Sequence, residues 1–336
     1  MKSIKTLSLI LILIIIGITV FVLKSQDQAR TLSAVITRSA PELGQGAHLL
    51  LPNLKSARVV APDRPHDPSE LQDPDSKAKI RRLRTFDVST TDRGFRTTNP
   101  FEGQKARILT VGDSVTFGWG VAETESYPYR LAESLSVSID NAGVPAMKPQ
   151  HIALWMKKNK DNHAGVELIL FARRIDWGQP KPWESYFQAI QDAMNASKPA
   201  KFALILPPIS TFDPRGLAHQ EEELSRLKKR FPQLAILDLT PSFRHNAPKE
   251  GIVLQINGQE QVLLDNASNT PILSAIAPPL QPGSPALAKE ITDYFEAHPN
   301  ASEPLFFDGG HPTAEGFKIF AEEVRAFIIK EGLFTP

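Results

Sequence analysis

The chain has 336 residues, of which 41% are hydrophobic and 22% charged, and its formal net charge is +1. That length and balance suit one globular domain of about 230 residues with extensions, and a near-neutral chain gives no electrostatic reason to expect nucleic acid. Cysteine is absent, which excludes disulfides, thiol catalysis and zinc–thiolate sites.

The first element is hydrophobic. Leu7 to Leu23 is apolar almost throughout, with Lys2 and Lys5 before it and Lys24 after it. A run of this length lies at the short end of what spans a bilayer. It is longer than the apolar core of most signal peptides, and Ser25-Gln-Asp-Gln-Ala29 after it is a poor match to a small-x-small cleavage site. Residues 1–24 therefore read as a transmembrane anchor or signal-anchor, with a cleaved signal peptide as the competing reading. Positive charge ahead of the span implies an exported body, periplasmic or extracellular, although Lys24 and Arg30 blunt the asymmetry.

Residues 25–77 show no strong period and are punctuated by Pro41, Pro52, Pro62, Pro65, Pro68 and Pro74. The expectation is an extended linker that holds the body off the membrane. The body, residues 78–336, opens on the basic cluster Arg81, Arg82 and Arg84, a solvated face or a contact for lipid headgroups or polysaccharide.

Strands and helices then alternate. Strands are expected at Arg107–Val111, Val137–Asn141, Glu167–Phe171, Lys201–Leu206 and Ala235–Leu239. Helices are expected near Tyr127–Leu135, Gln150–Asn159, Trp183–Ala196, Leu217–Arg230 and Ala314–Ile329. Five β–α units with apolar strands imply a parallel sheet covered on both faces. The fold class is α/β, a three-layer α/β/α sandwich with a flavodoxin-like parallel five-stranded sheet and its site at the strand C-terminal edge. Gly251 to Leu264 forms two alternating runs around Asn257-Gly258, a hairpin signal, and prolines follow as far as Pro285. Residues 251–285 are thus an insertion, either a flap over the substrate or a plain surface hairpin.

Chemistry concentrates in two places. The apolar run Ile108–Val111 breaks at Gly112-Asp113-Ser114, as a buried strand does when it delivers a side chain to a sheet edge. Near the C-terminus, Asp308-Gly-Gly-His311-Pro-Thr313 places an acid three residues before a histidine, just ahead of the last helix. Nucleophile, base and orienting acid are the parts of an acyl-transfer triad. Gly112, Gly118 and Gly120 make neither a dinucleotide fingerprint nor a phosphate loop, and no His-Glu-x-x-His occurs. No cofactor and no metal are expected. Trp119, Trp177 and Trp183 are candidates to flank the sheet edge, with core or rim packing as the plainer role.

Val111-Gly112-Asp113-Ser114 with Thr116-Phe117-Gly118 resembles the first signature block of the SGNH (GDSL-type) hydrolase and esterase family. Asn141-Ala-Gly143-Val-Pro145 is similar to the second block, and Asp308 to Thr313 to the last. Asp92-Arg-Gly-Phe-Arg96 is similar to a lead-in of membrane-anchored members. The resemblance implies Ser114 as nucleophile, His311 as general base, Asp308 as its orienting acid, and the N–H groups of Ser114 and Gly143 as the oxyanion hole. In the third block the family's Gly-x-Asn-Asp corresponds to Arg173-Arg174-Ile175-Asp176, so Ile175 stands where an asparagine donor is expected. Arg173, Arg174 and Asp176 are candidate substrate or oxyanion contacts.

Two functions follow. One is a serine esterase or acyltransferase acting on O-acyl groups of an exported small-molecule, glycan or lipid-like ester, attached to the membrane through residues 7–23. The other is a catalytically degenerate relative that binds glycan without turnover.

Overall fold

The computed structural model describes residues 36–61, 84–97, 99–101, 103–175, 182–208, 214–246, 252–256, 259–264, 305–306 and 311–335. The apolar segment Leu7–Leu23 lies outside them. Among the described residues no helix is long and apolar enough to cross a membrane.

The chain begins with two antiparallel pairs, β1 (Thr37–Ser39) with β2 (His48–Leu50) and β3 (Ala57–Ala61) with β4 (Arg84–Val88). Over residues 36–61 the expected linker is corrected here, the rest of 25–77 lying outside the described residues. Ile36, Ala40, Leu43, Ala47, Leu50 and Val59 are all buried in the same core as the central sheet. The imidazole of His48 is also 2.8 Å from the carbonyl of Pro145, in the loop after the sheet's edge strand. Prolines and missing periodicity suggested a tether, but irregularly spaced apolar side chains can still bury once the chain doubles back.

The body then runs β5 (Ile108–Gly112), α1 (Ser114–Phe117), α2 (Tyr127–Leu135), β6 (Ile139–Gly143), α3 (Pro149–Lys158), β7 (Leu168–Ala172), α4 (Trp183–Ser197), β8 (Lys201–Leu206), α5 (Pro214–Arg230), β9 (Ala235–Asp238) and α6 (Thr240–Asn246). A hairpin of β10 (Ile252–Ile256) and β11 (Gln259–Leu264) follows, antiparallel as expected, and α7 (Ala314–Lys330) closes the chain. Four parallel pairings build a five-stranded sheet of order β6-β5-β7-β8-β9. The first two crossovers from β5 to β6 and back past β5 to β7 run in opposite directions. This makes β5 the switch-point strand, whose C-terminal end opens a crevice.

The central strands β5 and β7 are buried along their whole length and β8 over its last four residues, hence their continuous apolar runs. Leu109, Val111, Ile169, Phe171, Leu204 and Leu206 face a core shared with α3, α4 and the N-terminal segment. Ile108, Leu168, Leu170, Ala203 and Ile205 face a core built from α2, α6 and α7. On that second face Tyr127 stacks on Phe320 at 4.2 Å, joining α2 to α7. The last helix thereby carries its preceding loop to the end of β5.

Candidate active site

Ser114 is the first residue of α1, separated from the end of β5 by Asp113 alone. The turn is tight because two glycines let backbone and side chains approach. A Cβ at Gly112 would lie 2.1 Å from Oγ1 of Thr116 and 2.5 Å from the carbonyl oxygen of Ala172. A Cβ at Gly143 would lie 2.3 Å from the backbone nitrogen of Phe117. Asp113 caps α1, its Oδ1 accepting the N–H of Val115 at 3.0 Å. Gly118, at φ +82°, ends the turn and donates to the carbonyl of Ser114 at 3.1 Å.

Arg96 secures the far end of this turn. Its guanidinium donates to the carbonyls of Phe117 at 2.5 Å, Gly118 at 2.6 Å and Val121 at 2.8 Å. Its charge lies 4.6 Å from the ring centre of Phe117. Burial pulls the guanidinium down to about 10, with Glu123 and Glu125 opposing the shift, so it remains a cation at neutral pH. The lead-in segment bearing Arg96 also bridges β6, where the Arg96 N–H donates to the Asn141 carbonyl at 3.0 Å.

His311 comes from the loop before α7. Thr313 caps that helix by accepting the N–H of Gly316 at 3.2 Å, and Pro312 bridges Phe306. Nε2 of His311 lies 2.8 Å from Oγ of Ser114, across 197 residues of sequence. The ring of Trp119 stands 6.4 Å from the imidazole, and the Trp119 N–H donates to the Ser114 carbonyl at 2.9 Å. Trp183 lies elsewhere, at the start of α4 under the guanidinium of Arg226. Asp308, Asp176 and Trp177 fall outside the described residues.

The expected oxyanion donors fare differently. Ser114 N–H heads its helix turn. Gly143 N–H is already committed, donating to Oδ1 of Asn141 at 2.9 Å. Glycine is required there by the close approach of α1 rather than to leave an N–H open. In the next four residues, Val144 N–H donates to the Gly112 carbonyl, Met147 N–H donates to the Val144 carbonyl, and proline at 145 has no N–H. The N–H of Ala146 has no acceptor among the described residues. Ala146 is exposed and sits at φ +61°, a left-handed conformation that L-residues adopt at a cost and that is concentrated at functional sites. No pattern marked Ala146, because alanine carries no signal for positive φ.

The two arginines part company. Arg174 is 5% exposed and turns into the protein. It reaches Glu223 at 2.8 Å, Asp238 at 2.5 Å, Thr240 at 2.8 Å and the Pro207 carbonyl. It is a buried structural cation and not the substrate or oxyanion contact expected. Ile175 is also fully buried, its N–H held by Glu223 at 2.8 Å. Arg173 runs the other way, with Nη1 3.2 Å from Oδ2 of Asp113 and Nε donating to the Met147 carbonyl at 3.3 Å.

No protein-family model matches the chain, and no curated protein matches it. Among solved structures it is similar to a protein assigned to the lipolytic G-D-S-L family from Desulfitobacterium hafniense DCB-2. The identity is 16% and the TM-score 0.41, over 66% of this chain and 99% of that one. A member of the lipolytic protein G-D-S-L family from Veillonella parvula DSM 2008 is 15% identical, with TM-score 0.38, over 66% of this chain and 96% of that one. A family two carbohydrate esterase from Clostridium thermocellum is 12% identical, with TM-score 0.39, over 68% of this chain and 66% of that one. At these identities and scores the likeness is one of outline.

Proposed function

We propose that the protein is a serine esterase of SGNH type, hydrolysing or transferring O-acyl groups of an exported glycan or lipid-like substrate while held at the membrane through residues 7–23. The observation that carries this reading is the 2.8 Å approach of Ser114 Oγ to His311 Nε2 at the end of the switch-point strand. A surface pair would not need two glycines, a capping aspartate and a buried arginine to hold it.

In this mechanism Ser114 Oγ attacks the acyl carbonyl as its proton passes to Nε2 of His311. Asp308, assigned from the sequence pattern, holds the other ring nitrogen and with it the tautomer. The tetrahedral oxyanion is received by the N–H groups of Ser114 and Ala146, the latter taking the place first assigned to Gly143. The imidazolium then protonates the departing alcohol, leaving an acyl-serine. Water or a second hydroxyl, deprotonated by His311, attacks the acyl-serine and regenerates the enzyme. One triad serves both acceptors, so hydrolysis and transfer differ only in which hydroxyl enters.

The second reading, a non-catalytic glycan-binding relative, is favoured by Ile175, which offers no side-chain donor at its position. Labelling by a fluorophosphonate probe decides between them. The esterase reading expects stoichiometric labelling of the wild type and none of Ser114→Ala. An unlabelled wild type that is also inactive on short acyl esters would overturn the esterase reading and favour the non-catalytic relative.

A further inference from the structure

The side chain of Arg173 crosses the C-terminal edge of three adjacent strands. Its own backbone is pinned at the end of β7. The N–H donates to the Ile205 carbonyl at 3.0 Å, and its carbonyl accepts the hydroxyl of Tyr186 at 3.0 Å. From there the guanidinium reaches Asp113 at the end of β5 and the Met147 carbonyl in the loop after β6. Each contact falls on the residue beside one of the two N–H donors assigned above, Asp113 beside Ser114 and Met147 beside Ala146. Asp113 divides its carboxylate, giving Oδ1 to the Val115 N–H that starts α1 and Oδ2 to Arg173. Met147 directly follows Ala146, which with Lys148 is one of two residues of that loop whose N–H has no acceptor among the described residues.

We propose that Arg173 is a positioning residue for catalysis, a strut that sets the distance between the Ser114 and Ala146 N–H groups and neutralises Asp113 beside the nucleophile. This rests on the esterase reading above. A planar guanidinium suits the task, because its donors diverge in a fixed fork and can hold a carboxylate and a carbonyl at once. Neutralisation matters because a bare carboxylate one residue from Ser114 would oppose the negative charge that develops on the substrate oxygen. In this chain the residue replacing the family's glycine supports the donors, while the residue replacing the family's asparagine lies in the core.

The test uses the full chain in detergent micelles, with an activated acetate ester and with active sites counted by fluorophosphonate. Arg173→Ala is expected to lower kcat per counted site by about 100-fold, the scale on which oxyanion donors act, with KM within about twofold. Arg173→Lys keeps a cation for Asp113 but cannot fork to Met147, so it should recover part of the loss. Added guanidinium, well below denaturing concentration, should partly restore Arg173→Ala and leave Ser114→Ala inert. Counting sites removes misfolded molecules from the comparison, and if Arg173→Ala yields no folded protein, Arg173→Lys decides alone. Unchanged kcat per site overturns the proposal, as does a rise in KM at constant kcat, which would make Arg173 a substrate contact. An inert, unlabelled wild type overturns it together with the esterase reading.

Discussion

Replacing Arg174 with methionine should remove the cation from a nearly sealed cluster while keeping most of the side-chain volume. The side chains of Glu223 and Asp238 are 0% and 5% exposed, so neither carboxylate can turn to water for compensation. Breaking a buried ion pair from one side typically costs about 3–5 kcal/mol. Here each carboxylate keeps neutral donors. Glu223 retains the Ile175 N–H at 2.8 Å, and Asp238 retains Gln220 at 2.6 Å and the Thr240 N–H at 3.0 Å. The loss should therefore fall at the bottom of the range, about 3 kcal/mol, which for a domain of this size is a drop of about 6–12 °C in melting temperature. Urea unfolding followed by tryptophan fluorescence measures it, with an unchanged slope showing that the transition itself is the same. Adding Glu223→Gln to Arg174→Met removes one of the stranded charges and should recover about 1–2 kcal/mol. A single-variant loss below about 1 kcal/mol, or a double variant no more stable than the single, would refute the account of a buried, charge-compensated cluster. A rise in KM without loss of stability would return Arg174 to the role of substrate contact.

Other variants probe the remaining links. Gly143→Ala places a Cβ 2.3 Å from the Phe117 nitrogen and 2.6 Å from the Thr116 carbonyl carbon, backbone atoms that cannot swing aside. It should destabilise by about 1–3 kcal/mol and displace Ser114, read as lost turnover in ester hydrolysis. Ile175→Asn, which at first sight restores a missing donor, should instead bury an amide in the core. The expected result is about 2–4 kcal/mol of lost stability and no gain in kcat; a faster enzyme would contradict the orientation of this side chain. Deleting residues 1–24 should leave the melting temperature of the body unchanged. Deleting residues 1–61 strips Ile36, Leu43, Leu50 and Val59 from the core, at about 1.5–3 kcal/mol each, and should leave the chain insoluble on expression.

The central sheet was legible in the sequence because β5, β7 and most of β8 are buried on both faces and are therefore continuous apolar runs, a local signal. Each expected strand lies within two residues of the observed one, and Trp183–Ser197 and Ala314–Lys330 extend their expected helices by a single residue. Ser114 and His311 could be proposed as partners because each sits at a recognisable junction, a strand end with Gly112 and a loop before a helix capped by Thr313. Adjacent residues on an extended segment point to opposite sides, so the divergence of Arg173 from Arg174 depended on which side the sheet offered an acid and which a sealed pocket. Nothing local distinguishes them. The same holds for the N-terminal segment, whose buried residues follow no period because several distant elements cover them, and for Ala146, whose backbone is held by its loop and not by its own preference. Periodicity records what a residue's neighbours in the chain share with it. Which groups meet across the sheet edge is settled only when the chain closes on itself, because those contacts join segments as far apart in sequence as Ser114 and His311.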